Sequence, residues 1–382
     1  MIDSEFFGTW SFSFFHNVWF IPLHLYIEGR NQKIFKKILK FFNLDKGKST
    51  IFLMNNYSPK LDLLETEKAI KFIKDNFELD FAMKLDLVRV SAPLFVLTKS
   101  GLNDGLSGKE KAISFKAKDI DDDIEIVHSL AKWKREALKR YNFPNHHGLY
   151  TDMNAIRKDE SLDAIHSIYV DQWDYEVIIK KEERNLSLLF KVVNLIYEVL
   201  KEMEDKVNAL YPVFRKKLPE DIYMISSTEL LNRYPDKTSK EREYLIAKEK
   251  KAVFLYQIGW PLSNGESHDQ RAPDYDDWLL NGDIIVYNEV LDIPFELSSM
   301  GIRVDKDSLK KQVEYSKDLS KLDNDYAKMV MNEELPYTLG GGIGQSRLCM
   351  FYLEKAHIGE VQASLWSKEE INKAQEKGIK LL

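Results

Sequence analysis

The stretch GDIIVYNEVLDIPFELSSM, residues 282–300, decides the fold. It contains two runs rich in β-branched and aromatic residues, Gly282–Tyr287 and Pro294–Met300, at a spacing typical of an antiparallel hairpin. In the expected register, Asp283 lies directly opposite Glu296 across the ladder. The sequence therefore predicts two carboxylates side by side on neighbouring strands.

Two opposed carboxylates repel each other, so an unpartnered pair on a ladder is unfavourable. A shared cation removes the repulsion, and Mg²⁺ in particular takes one or two carboxylates together with substrate phosphates. The register assumed here has its connection centred on residues 289–290, and a shift of one or two residues would separate the carboxylates. A magnesium site and a hairpin with separated acidic residues both remain open at this point.

Outward from the hairpin, the apolar periodicity predicts alternating helices and strands with no internal repeat. The expected helices span residues 61–77, 130–140, 186–214, 228–234, 241–250, 306–333 and 345–354, with Ser129 as the N-cap of the second. The other expected strands span residues 85–96, 125–128, 167–175, 222–225 and 253–258. Along the chain, some strands follow each other directly and others are separated by helices. We therefore expect an α+β domain with a largely antiparallel sheet.

The beginning of the chain differs from the rest. Residues 6–27 carry no charged side chain and are rich in Phe and Trp, which raises the question of a membrane span. Polar residues and Pro22 interrupt this run, and no basic flank precedes it, so it is a poor signal peptide. Residues 46–59 read as a linker. We expect an N-terminal extension of unknown role over 1–56, a membrane anchor being the less favoured alternative, and a catalytic domain over 57–382.

Composition limits the partners and the compartment. The net charge is −6, and the Lys/Arg runs are interleaved with Glu, which argues against a nucleic-acid partner. The single cysteine, Cys349, excludes a disulfide or a cysteine metal site within one chain. It lies in an apolar run and is expected to be a core thiol. Sparse cysteine favours a reducing, cytoplasmic setting.

Residues 339–347, LGGGIGQSR, could approach a ligand closely because glycine has no side chain. Arg347, at the start of the helix that follows, could bind phosphate with both nitrogens. The segment lacks the βαβ context of a dinucleotide fingerprint and the Lys-Ser/Thr pair of a P-loop. Taken alone, it indicates a turn more than a nucleotide site.

Several polar residues stand where a partner is needed. On the strand after residue 167, Gln172 and Asp174 point to one face and need either a small ligand or another strand's side chains. Lys134 lies on the apolar stripe of its helix, so it must snorkel or meet an anion. Asp104 lies in a glycine-containing loop that is either a lid or an idle surface loop. Three more polar residues follow Glu296: Ser298, Ser299 and Arg303. Together the set suits ATP, a metal ion and a small zwitterion.

Five strings resemble asparagine synthetase A, the bacterial aspartate–ammonia ligase family. They are HSLAKWKR at 128–135, YVDQWD at 169–174, APDYDDW at 272–278, FELSSMGIRVD at 295–305 and GGGIGQSRL at 340–348. The strings are long, ordered and peculiar to that family, and the resemblance runs from about residue 57 to the end of the chain.

The resemblance implies a class II aminoacyl-tRNA synthetase-like core, a mostly antiparallel sheet flanked by helices, working as a homodimer. VSAP at 90–93 is similar to the dimer-forming first motif of that class. IRKDE at 156–160 is similar to the second, whose arginine holds the α-phosphate, and GIGQSR at 342–347 to the third, whose arginine clamps ATP.

The resemblance also implies residue roles. Aspartate would be held by Asp104, Lys134, Gln172 and Asp174, with Ser129, Asp274, Ser298, Ser299 and Arg303 close by. ATP would be bound by Arg157, Gly342, Gly344 and Arg347, and Mg²⁺ by Asp283 and Glu296. The implied reaction forms β-aspartyl-AMP and pyrophosphate, and ammonia then displaces AMP to give asparagine. Asp104 is the candidate for binding or deprotonating ammonium, and the catalytic set is Asp104, Lys134, Arg157 and Arg347.

One departure and three alternatives qualify this reading. Trp278 runs directly into Leu279, where similar family members have a longer loop, which puts the covering of the site in question. An aminoacyl-tRNA ligase would need a tRNA-binding module, and no basic domain of that kind is evident. A non-catalytic nucleotide- or amino-acid-binding regulator would be expected to have lost some of the charged residues. A glutamine-dependent synthetase would need a cysteine at its N-terminus.

Overall fold

A computed structural model describes residues 57–107 and 110–382. The predicted N-terminal extension, its possible anchor and most of the predicted linker lie outside the described residues, so the domain boundary at residue 56 stays a prediction. In the part of the chain that is described, no helix combines the length and the apolar character that crossing a membrane requires.

Most helices and strands follow the order expected from the sequence, but the strands Ser114–Ala117 and Gly148–Ile156 and the helix Lys368–Glu376 were not predicted. The helices are α1 Leu63–Leu85, α2 Ala131–Arg140, α3 Leu186–Leu210, α4 Ser227–Arg233, α5 Ser239–Lys250, α6 Lys306–Ser316, α7 Asp325–Met331, α8 Gln345–Tyr352 and α9 Lys368–Glu376. The strands are β1 Leu87–Arg89, β2 Phe95–Leu97, β3 Ser114–Ala117, β4 Ile120–Ile126, β5 Gly148–Ile156, β6 Tyr169–Ile178, β7 Tyr223–Ser226, β8 Ala252–Tyr256, β9 Asp276–Asn288, β10 Ile293–Arg303 and β11 Thr338–Gly344.

Eight strands form the main sheet in the order β1-β5-β6-β11-β10-β9-β8-β7. The edge pairs, β1 with β5 and β7 with β8, are parallel, and the five pairs between them are antiparallel. A small antiparallel sheet, β2-β4-β3, stands beside it. The expectation of an α+β fold with a largely antiparallel sheet is confirmed.

The predicted register of the central hairpin is wrong. Asp283 pairs with Ser299, and Glu296 pairs with Ile285. Two causes add up. The side chain of Asn288 accepts hydrogen bonds from the backbone N–H groups of Val290 and Leu291, at 3.0 and 3.1 Å. These bonds place the turn later along the chain than predicted. An irregularity between Glu296 and Ser298 then inserts one more residue.

The glycine-rich segment is also corrected, because it is a central strand, β11, and not a turn. Its neighbours lie so close that side chains would not fit. A Cβ on Gly340 would lie 2.0 Å from Oε2 of Glu176, and one on Gly341 would lie 2.6 Å from Cβ of Met300. The glycines therefore let β11 pass between β6 and β10, with the side chains of those strands folded over it.

Helix α1 fixes which face of β6 is core. Phe77 stacks on Trp173 at 4.8 Å between ring centroids, and Phe81 meets Tyr175 edge-on at 5.1 Å. Because side chains alternate along a strand, Gln172 and Asp174 point to the opposite face, as the sequence predicted. That face carries the cavity described below.

Smaller differences concern the ends of elements. The segment 85–96 forms two short strands around Pro93, and the segment 306–333 is split into α6, a short 3₁₀ turn and α7. Ser129 is not the N-cap of α2. The cap is Leu130, and the Ser129 hydroxyl instead accepts a hydrogen bond from the N–H of Ala131 at 3.2 Å.

Candidate active site

A polar cavity of about 350 Å³ opens on the face of the main sheet opposite α1. Its floor comes from β6, β10 and β11, and its walls come from the start of α2, the loop around residue 104 and the segment before β9. Twelve predicted site residues line it: Asp104, Ser129, Lys134, Arg157, Gln172, Asp174, Glu296, Ser299, Arg303, Gly342, Gly344 and Arg347. Three do not: Asp274, Asp283 and Ser298.

Lys134 meets anions and does not snorkel. Its side chain is 1% exposed, its Nζ donates to the carbonyl of Gly341 at 2.7 Å, and it lies 3.0 Å from Oδ2 of Asp174. Glu176 is at 4.0 Å. Burial lowers the pKa of Lys134, and the neighbouring carboxylates oppose that effect.

Arg303 completes this buried cluster. Its guanidinium donates from Nε and from one terminal nitrogen to Glu176, at 2.9 and 2.7 Å, and from the other to Asp276. These contacts use three of the five N–H groups of an arginine. Burial raises the pKa of Asp276 to about 6, although the charge of Arg303 opposes the rise.

The charges in this cluster do not balance. Two cations, Lys134 and Arg303, face three carboxylates: Asp174, Glu176 and Asp276. Oδ2 of Asp174 also accepts from the N–H of Leu130 at 3.3 Å, while its buried Oδ1 has no hydrogen-bond partner among the described residues. A ligand ammonium group beside Asp174 would supply both the missing positive charge and the missing donor.

Gly342 keeps this position open. A Cβ there would lie 2.6 Å from Oε1 of Gln172 and 2.7 Å from Oδ1 of Asp174. The absence of a side chain on this residue therefore leaves both polar groups free to face the cavity. Gly342 thus shapes the ligand site through its missing side chain.

Asp104 forms a second corner of the cavity. It is 4% exposed, and its Oδ1 accepts from the N–H of Leu106 at 3.1 Å. The neighbouring Asn103 holds the loop by accepting from the N–H of His128 at 2.9 Å. Burial raises the pKa of Asp104, while the charge of Lys132 and a hydrogen bond from Ser129 lower it.

Asp274 stands behind this corner and does not line the cavity. Its Oδ2 lies 2.8 Å from Nζ of Lys132, and both side chains are buried. The expected substrate residue is therefore the counter-ion of a lysine that sequence reasoning missed. The available signal was a second lysine two positions before Lys134 in the same string.

Ser298 is corrected as well. It is buried, it does not line the cavity, and its hydroxyl has no hydrogen-bond partner among the described residues. The irregularity beside it shifts the alternation of β10, so that Glu296 and Ser299 both face the cavity. Adjacent serines in a strand cannot both point to one face.

Two arginines form the third corner. Arg157 donates to the carbonyl of His128 at 3.4 Å, and its buried Nε has no partner in the described part of the chain. Burial lowers the pKa of Arg157, and the nearby charge of Arg347 adds to this effect. Arg347 donates to the carbonyl of Glu296 at 2.9 Å. Two neighbouring guanidinium groups in one wall favour a polyanionic ligand.

The predicted metal carboxylates lie near this corner. Asp283 is buried; its Oδ2 accepts from Arg271, and its Oδ1 has no partner among the described residues. Burial raises the pKa of Asp283 to about 7, and the charge of Glu296 adds to the rise while Arg271 opposes it. Arg271 lines the cavity and was missed by the sequence analysis.

Asp283 and Glu296 are the carboxylates that could hold Mg²⁺ together with phosphate. The described residues contain no cluster of three or more His, Cys, Asp or Glu able to hold a metal ion by themselves. Mg²⁺ needs fewer, because it keeps waters and takes the rest of its ligands from substrate phosphates. In the observed register Asp283 and Glu296 do not face each other across the ladder, so their pairing does not support a shared ion. What favours a joint site is the unpartnered oxygen of Asp283 and the charge of Glu296, which adds to the rise that burial causes in the pKa of Asp283.

Comparison with known proteins gives consistent results. A family model described as aspartate-ammonia ligase matches residues 64–378. The aspartate–ammonia ligase of Clostridium tetani is 55% identical over 338 residues, covering 88% of this chain and 99% of the relative. That of Clostridium perfringens is 57% identical over 333 residues, covering 87% and 99%.

Solved structures share the fold. Asparaginyl-tRNA synthetase from Pyrococcus horikoshii, complexed with asparaginyl-adenylate, matches with a TM-score of 0.58 at 15% identity, over 79% of this chain and 70% of that one. The Entamoeba histolytica enzyme of the same name matches with a TM-score of 0.56 at 15% identity, over 78% and 67%. At 15% identity the likeness shows the fold alone, which is that of the class II synthetase core.

Proposed function

Since this chain belongs to the aspartate–ammonia ligase family and is an ATP-dependent asparagine-forming ligase, we propose how its cavity binds the substrates and carries out the reaction. The observation that carries the proposal is the buried cluster around Lys134, which is one positive charge short and has an unpartnered carboxylate oxygen on Asp174. An amino acid with an ammonium group and two carboxylates fits that arrangement.

Aspartate binds with its ammonium group between Asp174 and Gln172. The carboxylates of aspartate face Arg303 and Lys134. Arg303 has two N–H groups left after its hydrogen bonds to Glu176 and Asp276, and Lys134 has a third proton to donate. Buried, paired donors of this kind bind a carboxylate strongly because water is excluded. Ser299 lies on the same wall.

ATP binds with its phosphates against Arg157 and Arg347. The reacting carboxylate of aspartate attacks the α-phosphorus, the bond to the pyrophosphate breaks, and β-aspartyl-AMP forms. The two arginines stabilise the charge that develops on the transferring phosphoryl group. Mg²⁺, held by Asp283 and Glu296, would supply further charge neutralisation on the phosphates. One structural relative binds asparaginyl-adenylate, an acyl-adenylate, which is the class of intermediate proposed here.

Ammonia then attacks the acyl carbon, and AMP leaves. An ammonium ion must first lose a proton, and Asp104 is the group we assign to bind it and accept that proton. Lys132 and Asp274 stand behind Asp104 and fix its surroundings. The raised pKa of Asp104 makes it a better base than an exposed aspartate.

The decisive experiment mixes the full chain with ATP, Mg²⁺ and aspartate, and follows AMP, pyrophosphate and asparagine with and without ammonium. AMP and asparagine formed together, and only with ammonium, are expected. Exchange of pyrophosphate into ATP without any asparagine would instead favour an adenylating enzyme of another kind, such as a tRNA ligase. Failure of all turnover would contradict the proposal.

For Asp104, we expect Asp104→Asn to lower kcat by about 10²-fold, because an amide cannot accept the proton. In the unmodified enzyme, kcat/KM for ammonium should fall as the pH drops through the raised pKa of Asp104, since only the carboxylate binds ammonium and takes its proton. Steady-state kinetics across pH would measure both effects. Activity that is lost in Asp104→Ala but kept in Asp104→Asn would count against the base role.

We also propose that the enzyme works in the cytoplasm as a homodimer. Val88, Leu94 and Phe95, which flank the motif-like residues 90–93, are 56%, 46% and 48% exposed, and an apolar patch of this kind favours a second subunit. Light scattering coupled to size-exclusion chromatography should give twice the mass of one chain. A single-chain mass at micromolar concentration would contradict this expectation.

A further inference from the structure

Arg271 lines the cavity, contacts the predicted metal carboxylate Asp283, and has no part in the reaction proposed for this enzyme. Its guanidinium donates to Oδ2 of Asp283, and the two side chains are 16% and 8% exposed. A metal ion bound to Asp283 would be attracted by the same charge that Arg271 now neutralises. The two cations therefore compete for one carboxylate.

The backbone that carries Arg271 is anchored on both sides. His268 contacts Glu243 on α5 through Nε2 and Oε1 at 2.9 Å, and the N–H of Ala272 donates to the carbonyl of Leu106 at 3.0 Å. The side chain extends from this fixed segment into the cavity. A long, flexible side chain on a fixed backbone can exchange one partner for another without refolding the segment.

The charges near Arg271 favour such an exchange only when phosphate is present. Asp269 and Glu296 also line the cavity, and both lie near enough for their charges to act on Arg271, so a displaced guanidinium stays among acidic groups. A polyphosphate gives it a better partner, because phosphate accepts two parallel hydrogen bonds from arginine. A metal ion that binds without nucleotide must displace Arg271 from Asp283 and gives the guanidinium no new partner. A metal ion that binds together with nucleotide gives the guanidinium a phosphate to pair with.

We propose that Arg271 is an exchangeable counter-cation. In the nucleotide-free enzyme it neutralises Asp283, and when the metal and ATP bind together it passes to the phosphates. The consequence is coupling: metal and nucleotide each bind more tightly in the presence of the other, by the same factor. This inference rests on the proposed metal site at Asp283 and Glu296.

The test is equilibrium binding of Mn²⁺ to the full chain, followed by the electron paramagnetic resonance signal of the free ion, with no turnover involved. Arg271→Gln should bind Mn²⁺ about tenfold more tightly than the unmodified enzyme when nucleotide is absent, because Asp283 is then free. It should bind ATP more weakly, and the coupling between the two ligands should shrink. A residue that merely supports the fold would weaken both ligands together.

Two further variants complete the experiment. Arg271→Lys keeps the positive charge and should still compete with Mn²⁺ for Asp283. It therefore tests the role of the charge even if Arg271→Gln fails to fold. Arg215→Met is the matched control, since Arg215 is an exposed arginine that pairs with Glu289 away from the cavity. It should change neither ligand.

The outcomes distinguish failure of the counter-cation role of Arg271 from failure of the metal site at Asp283. Mn²⁺ binding that depends on Asp283, tested with Asp283→Asn, but does not tighten in Arg271→Gln would overturn the counter-cation role alone. Mn²⁺ binding that is unaffected by Asp283→Asn even with ATP present would overturn the metal site, and the role of Arg271 with it. Tighter metal binding together with weaker ATP binding supports the proposal.

Discussion

Lys134→Met is expected to lower kcat/KM for aspartate by about 10³-fold, at the upper end of what one buried stabilising donor contributes. Lys134 is one of the two cations that face Asp174, Glu176 and Asp276. Without it the cluster is two positive charges short, so a substrate carboxylate would enter a more negative site. Steady-state kinetics with aspartate as the varied substrate would measure the loss.

The same variant should remain folded. Asp174 lines the cavity, so water can enter and hydrate it once the lysine is gone, which limits the cost in stability. Lys139→Met is the matched control on the same helix, because Lys139 is exposed and pairs with the exposed Glu334. A Lys134→Met enzyme that is folded and has an unchanged KM for aspartate would remove Lys134 from the aspartate site.

The hairpin at 282–300 illustrates what sequence patterns can and cannot determine. Runs rich in β-branched and aromatic residues predicted both strands. Of the polar residues predicted for the site, Glu296, Ser299 and Arg303 line the cavity, and Asp283 and Ser298 do not. The register was wrong because it depends on a turn set by Asn288 and on one inserted residue near Glu296. The turn at Asn288 leaves the hydrophobic pattern unchanged, so the pattern could not reveal it. The inserted residue does shift the alternation, from Phe295 and Leu297 to Met300 and Ile302, and that signal was missed.

Charge pairs between distant segments were the least predictable part of the site. Lys132 and Asp274 are 142 residues apart in the chain and touch only because α2 packs against the segment before β9. Arg271, Glu176 and Asp276 acquire their roles in the same way. Amphipathic periodicity describes one element at a time, whereas such pairs depend on how two elements meet.

The prediction of a turn at the glycine-rich segment was wrong because a local preference was overridden by packing. Glycine is depleted in strands, so a run of glycines favours a turn. Here the sheet needs the space: Glu176, Met300 and Gln172 would each lie within 2.6 Å of a Cβ on the glycine that faces it. Tertiary packing overrides local preference at a position where bulky neighbours converge on the backbone.

Arg303→Met is expected to lower the free energy of unfolding by roughly 3–5 kcal/mol, the usual cost of leaving buried charges without a partner. Arg303 is 2% exposed and holds both Glu176 and Asp276, which are also buried. Urea denaturation should show a lower midpoint with an unchanged slope. Arg233→Met removes an exposed ion pair with Glu249 and should change stability by no more than about 0.5 kcal/mol.

A second substitution separates the two roles assigned to Arg303. In the double variant Arg303→Met, Glu176→Gln, one of the two stranded charges is removed, so part of the lost stability should return. Binding of aspartate should not return, because the N–H groups that face its carboxylate are still absent. Recovery of both stability and aspartate affinity would mean that Arg303 only balances charge within the fold. A loss below about 1 kcal/mol in the single variant would mean that water reaches Glu176 and Asp276 and hydrates them once the arginine is gone.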